Sequence, residues 1–171
     1  MLEEADLSFR ATKDIDMILI MEDKFPEFAA VFWDYLKEGD DDTSSLSAIL
    51  FNDDFYKFML LGRRVDGGIG ILSEEHLIPF KMYAWINLLD RKRTGEHVNE
   101  KDLKKHKYDV FRLLQIVTAG IKVKSEGLVI ESINRFIEEI SVVDESEVRL
   151  QQIGIPFDRT KGVELLKEIY L

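Results

Sequence analysis

Two aspartates open a short apolar run, DIDMILIM, at residues 14 to 21. Its length and its isoleucines predict a buried strand over 14–20. Alternate strand residues point to one face, so Asp14 and Asp16 stand side by side. The period then changes. Phe25, Phe28, Ala29, Phe32 and Leu36 recur at helical spacing up to Gly39, and Pro26 suits a first helical turn. The stretch GDDDTSS (39–45) reads as a loop, and a short helix follows with Asn52 or Asp53 as N-cap. RRVDGGIGIL (63–72) predicts a tight turn at Asp66-Gly67-Gly68 joining two extended pieces. Ser73 is placed to cap a helix whose first turn carries Glu74 and Glu75, where acids suit the positive end of the helix dipole. That helix runs to near Gly95. A second begins at Asn99 or Glu100 and reaches about Gly120, with Leu103, Val110, Leu113, Leu114 and Val117 as its apolar stripe. Further helical stretches are expected at 126–141, 145–152 and 159–169. The class is α+β: a small α/β part over residues 1–75 and a helical lobe over 76–171.

Composition narrows the function classes. The 171 residues carry a net charge of −10, so the surface as a whole repels polyanions, which argues against a dedicated nucleic-acid-binding domain. Arg63-Arg64, Arg91-Lys92-Arg93 and Lys101 through Lys107 nevertheless form three basic clusters mid-chain. There is no cysteine, which excludes disulfides, thiolate catalysis and Cys-ligated zinc. No apolar run approaches the roughly 18 residues of a membrane-spanning helix. The acidic start MLEEADLSF is not a signal peptide, so a cytoplasmic protein with no membrane partner is expected.

The Asp14/Asp16 pair is the most suggestive chemistry. Two adjacent carboxylates repel unless a cation lies between them, and Mg²⁺ prefers hard oxygen ligands. A D-x-D spacing also arises by chance in acidic chains. Here it directly precedes a buried-type strand and has Arg10 and Lys13 beside it. Lys81 sits among apolar neighbours Phe80, Met82 and Trp85 on its helix. A lysine emerging from such a face needs an anion, either a carboxylate or a phosphate. Asp109, between Tyr108 and Val110, has Lys81 as one partner for a helix-to-helix ion pair. His106 reads as a surface histidine in a basic stretch.

Three strings in order resemble the nucleotidyltransferases of the AbiEii/AbiGii toxin family. FRATKDIDMILI (9–20) is similar to the family's aspartate-pair strand, and LIPFKMYAWINLLDRK (77–92) to its Lys-x-x-Ala helix. GEHVNEKDLKKHKYDVFRL (95–113) resembles its later Arg-Asp-x-x-Asp motif, read here as Lys105-His106-Lys107-Tyr108-Asp109. The resemblance spans roughly residues 8 to 114 and implies a nucleotidyltransferase-type sheet with a C-terminal helical lobe. It implies Asp14 and Asp16 as ligands of Mg²⁺ or Mn²⁺, Lys81 as a contact of the NTP triphosphate, and Asp109 with Lys105 as the later motif. Arg10 joins the nucleotide-binding set. The implied activity is transfer of a nucleotide from an NTP to an RNA or protein acceptor, by the toxin of a toxin–antitoxin or phage-defence pair with a cognate antitoxin.

The chain also departs from the family. A Gly-Gly or Gly-Ser turn normally precedes the aspartate pair and cradles phosphate with backbone N–H groups, and no such turn occurs among the 13 residues before Asp14. No third carboxylate heads a convincing strand; Asp41, Asp42 and Asp54 are the candidates, and none is assigned. The expectation is therefore a shortened nucleotidyltransferase core. The alternative is a catalytically inactive interaction protein on the decayed scaffold, its aromatic-rich helices offering a binding surface.

Overall fold

The structure, a computed structural model, describes residues 53–144 and 147–171. The strand expected at 14–20 and the helix expected at 26–39 lie outside the described residues. Those described belong to one compact unit, and their class is α+β: mostly helix, with one antiparallel hairpin.

Helix α1 (Asp53–Leu61) carries Asp53 and Asp54 in its first turn and buries Phe55, Phe58 and Met59. The hairpin follows, β1 (Arg63–Asp66) and β2 (Ile69–Leu72), paired from Arg63↔Leu72 to Asp66↔Ile69. Its turn residues Gly67 and Gly68 have φ of 55° and 83°. A two-residue type I′ turn needs positive φ at both positions, which glycine adopts without strain. Tight turn and extended flanks are thus as the sequence predicts.

Helix α2 (Glu74–Arg93) starts after Ser73, the expected cap position, but the Ser73 hydroxyl does not cap. It lies 2.9 Å from His76 Nδ1 instead. Pro79 sits inside α2 and has no N–H for the carbonyl four residues back, that of Glu75. The Tyr170 hydroxyl, arriving from the C-terminal helix, donates to that carbonyl at 2.5 Å.

Helix α3 (Glu100–Leu114) is capped by the Asn99 side chain, which accepts from Lys101 N at 3.0 Å. It stops at Leu114, short of the expected Gly120. The residues beyond it include β-branched Ile116, Val117 and Thr118, and Gly120 has φ 78°. Helix α4 (Gly127–Val142) follows an extended stretch in which Val123 N donates to Ile169 O at 2.9 Å. Of the helix expected near 145–152, residues 145 and 146 lie outside the described residues, and a 3-10 turn stands at Gln151–Ile153, closed by Gly154 at φ 82°. Helix α5 (Arg159–Tyr170) begins at Asp158, whose carboxylate accepts from Lys161 N at 2.8 Å.

The core lies where α2, α3 and α4 meet. Phe136 of α4 is fully buried, its ring centroid 5.2 Å from that of Trp85 on α2 and 6.2 Å from that of Phe111 on α3. Ile78, Met82, Val110, Ile133, Ile140 and Leu166 are also fully enclosed. At the rim, Arg135 holds Asp90 with both terminal guanidinium nitrogens, and Arg93 does the same with Glu139, at 2.8 Å for the longer bond. No helix among the described residues is long and apolar enough to cross a membrane.

A candidate anion site on the α2–α3 seam

Lys81 comes from α2, and its head reaches the seam with α3. Its Nζ stands 3.9 Å from Asp109 Oδ2, with side chains 20% and 18% exposed. The other carboxylate oxygen is also occupied: Arg112, one turn along α3, donates from Nη1 to Asp109 Oδ1 at 3.2 Å. One carboxylate is therefore shared by two cations.

One turn earlier on α3, His106 lies half-buried with its Nδ1 enclosed and without a hydrogen-bond partner. Burial pushes its pKa below the ordinary 6.5, and the Lys81 and Lys105 charges push it the same way. Asp109 and Asp102 oppose them. A buried imidazole among lysines stays neutral at neutral pH because charging it would cost both desolvation and like-charge repulsion. Lys81 and Arg112 thus share the Asp109 carboxylate, while Lys81 and Lys105 outweigh the carboxylates that act on neutral His106. This is a local cationic excess in an acidic chain, suited to an anion that displaces or joins Asp109.

Lys107, on the same helix, makes other contacts. Burial lowers its pKa, its Nζ donates to Glu147 O at 3.3 Å, and it lies 5.3 Å from the Tyr108 ring centroid.

The structure brings together Lys81 and Asp109 from the sequence-derived set, with Lys105 close enough to act on His106. Asp14, Asp16 and Arg10 lie outside the described residues. Asp54, one of the candidates for a third carboxylate, serves the fold instead, since its Oδ2 accepts from Leu128 N at 2.9 Å at the start of α4. Among the described residues no group of three or more His, Asp or Glu is placed to hold a metal ion. Sequence reasoning missed Arg112 and the burial of His106. The signal for Arg112 was present, since Asp109 and Arg112 are spaced i, i+3 on one helix. That of His106 was not, because a basic stretch gives no sign of which helix covers it.

The chain matches no family model, no curated protein and no solved structure.

Proposed function

We propose that this chain is a nucleotidyltransferase-type protein related to the AbiEii/AbiGii toxins, with the described helical lobe gripping the triphosphate of an NTP. The observation that carries this reading is the Lys81–Asp109–Arg112 group: cations in excess of carboxylate, partly withdrawn from water, with Lys81 and Asp109 at motif positions of the family resemblance. In this reading Asp14 and Asp16 belong to a nucleotidyltransferase-type sheet and would hold Mg²⁺ or Mn²⁺, which neutralises phosphate charge when bound. An acceptor oxygen on RNA or protein forms a bond to the α-phosphorus as the bond to pyrophosphate breaks, and the acceptor proton passes to solvent. Lys81 and Arg112 hold the departing pyrophosphate charge, while Asp109 keeps both cations aimed when no nucleotide is present. The protein would act in the cytoplasm, with a cognate antitoxin as partner.

Exposed Leu61, Val65 and Ile69, at 74%, 68% and 68%, favour a second reading: a catalytically inactive interaction protein on the same scaffold.

Thermal unfolding with Mg²⁺ and each NTP separates the two. A nucleotide present at about 100 times its Kd should stabilise the fold by about 2.7 kcal/mol. Asp14→Asn combined with Asp16→Asn should abolish the shift without unfolding the protein, and Lys81→Met should weaken it strongly. If no NTP moves the melting temperature at millimolar concentration, the enzymatic reading fails and the interaction protein stands.

A further inference from the structure

Among the described residues, the hairpin carries an open edge with a defined register. Ser73 N donates to Gly62 O at 2.9 Å, so Gly62 and Ser73 form a hydrogen-bonded pair in line with the ladder Arg63↔Leu72 to Asp66↔Ile69. Bonded and non-bonded pairs alternate along an antiparallel ladder. Arg64 and Asp66 therefore bond inward to β2, while Arg63 and Val65 turn their N–H and C=O groups to the outer edge of β1. All four β1 residues are exposed, and among the described residues no strand lies against that edge. Such an edge is a template for another strand.

We propose that the strand it takes is β1 of a second copy, antiparallel, about a two-fold axis through Val65. In an antiparallel pair, opposed side chains share a face, so a two-fold axis normal to the sheet must pass through a residue pair, not between residues. Four centres are available. An axis at Arg63, Arg64 or Asp66 sets like charges directly opposite one another, which is destabilising. The Val65 axis alone avoids this. It opposes Val65 to the partner's Val65, a favourable β-branched pair, and opposes Arg64 to the partner's Asp66 and Asp66 to the partner's Arg64. It also aligns the outward-facing Val65 backbone groups to exchange two hydrogen bonds across the axis. Arg64 is already oriented by Glu74, 3.0 Å away, and remains 42% exposed. The edge of β2 has no comparable code, since Ile69, Gly70, Ile71 and Leu72 offer no charge to select a register. The product is a four-stranded sheet, β2-β1-β1-β2, and the inference is independent of the Lys81 site.

The chain has no cysteine, so Val65→Cys introduces a single thiol. Residues opposed in a bonded pair have Cα atoms about 5.5 Å apart, within disulfide range. Under mild oxidation, full-length Val65→Cys should form a disulfide-linked dimer at least about tenfold faster than Ile69→Cys, which is equally exposed but on the other strand. In sedimentation experiments across concentration, Asp66→Arg should raise the dimer dissociation constant about tenfold by placing arginines opposite one another twice. The exchange Arg64→Asp with Asp66→Arg should restore it. Should that exchange not fold, Val65→Lys, at an exposed position, should cause the same loss by setting two lysines at the axis. A protein that stays monomeric at every concentration overturns the proposal. So does a dimer indifferent to Asp66→Arg with both thiols coupling at equal rates; the edge would then serve another strand of the same chain or a different partner.

Discussion

Lys81 and Asp109 meet across a helix seam, yet Asp109 does not depend on Lys81 alone. Arg112 keeps one carboxylate oxygen when Lys81 is lost. Lys81→Met preserves the apolar stem, so urea denaturation should find a cost within about 1 kcal/mol. Removing both cations strands a partly buried carboxylate, and the double variant should lose about 2 kcal/mol more than the two single losses summed. Strict additivity would mean that Asp109 is already solvated. His106 gives a second test at this scale. Its folded pKa lies below 6.5, so the unfolded chain binds the proton more readily. Its contribution is present above pH 6.5 and falls as pH drops toward the folded pKa. Half-buried His76, with a pKa lowered by burial, acts in the same direction. The melting temperature should therefore be lower at about pH 5.5 than at about pH 7.5, and His106→Gln should flatten part of that slope. A slope unchanged in His106→Gln would show that the ring is free to protonate in the fold.

At the scale of elements, α2 and α4 each depend on a distant side chain. Pro79 leaves the Glu75 carbonyl without its helical donor, and Tyr170 supplies one from 95 residues away. Burial raises the Tyr170 pKa well above 10, so the hydroxyl remains a donor. Tyr170→Phe should cost about 1–3 kcal/mol by leaving a partly buried carbonyl without this donor. Pro79→Ala restores a local N–H, so the same substitution made in that background should cost clearly less. Equal costs in both backgrounds would refute the link. Helix α4 begins at Gly127, at φ 54°, and a Cβ built there would lie 2.2 Å from Asp54 Oδ2. The carboxylate fills the space of the missing side chain and caps the helix from α1. Asp54→Ala should cost about 1 kcal/mol in thermal unfolding. Gly127→Ala should cost more, since it adds backbone strain to a clash with the cap.

For the molecule as a whole, Phe136 is the residue on which the three central helices converge. Phe136→Ala opens a cavity between Trp85 and Phe111 and should cost about 3–5 kcal/mol by urea denaturation. If the lobe unfolds as one unit, fluorescence of Trp85, isolated by Trp33→Phe, and far-ultraviolet circular dichroism should give the same midpoint before and after the substitution. Separate midpoints would mean that α2 leaves the bundle independently. The bidentate pairs Arg135–Asp90 and Arg93–Glu139 tie the same helices at the rim, but they are substantially exposed. Exposed pairs of this kind are worth about 0.2–1 kcal/mol, so packing at Phe136 dominates.

The sequence by itself determined the features that are settled within a few residues. Two adjacent glycines set the hairpin turn because only they accept positive φ at little cost. Asn99 sets a helix start because its side chain reaches an N–H two residues on. Val110, Leu113 and Leu114 of the expected α3 stripe are buried, though Leu103 is half-buried and Phe111 joins them, and the Lys81–Asp109 pairing was legible because each charge stood among apolar neighbours that required a partner. The aspartate pair, Asp14 and Asp16, rests on the sequence alone. Tertiary structure decided what depends on elements distant in sequence coming together. Arg112 shares Asp109 with Lys81, His106 is covered rather than solvated, Asp54 caps a helix 74 residues away, and Tyr170 repairs the break at Pro79. Periodicity shows which face of a helix is buried, but the packing of one helix on another selects the atoms that meet there.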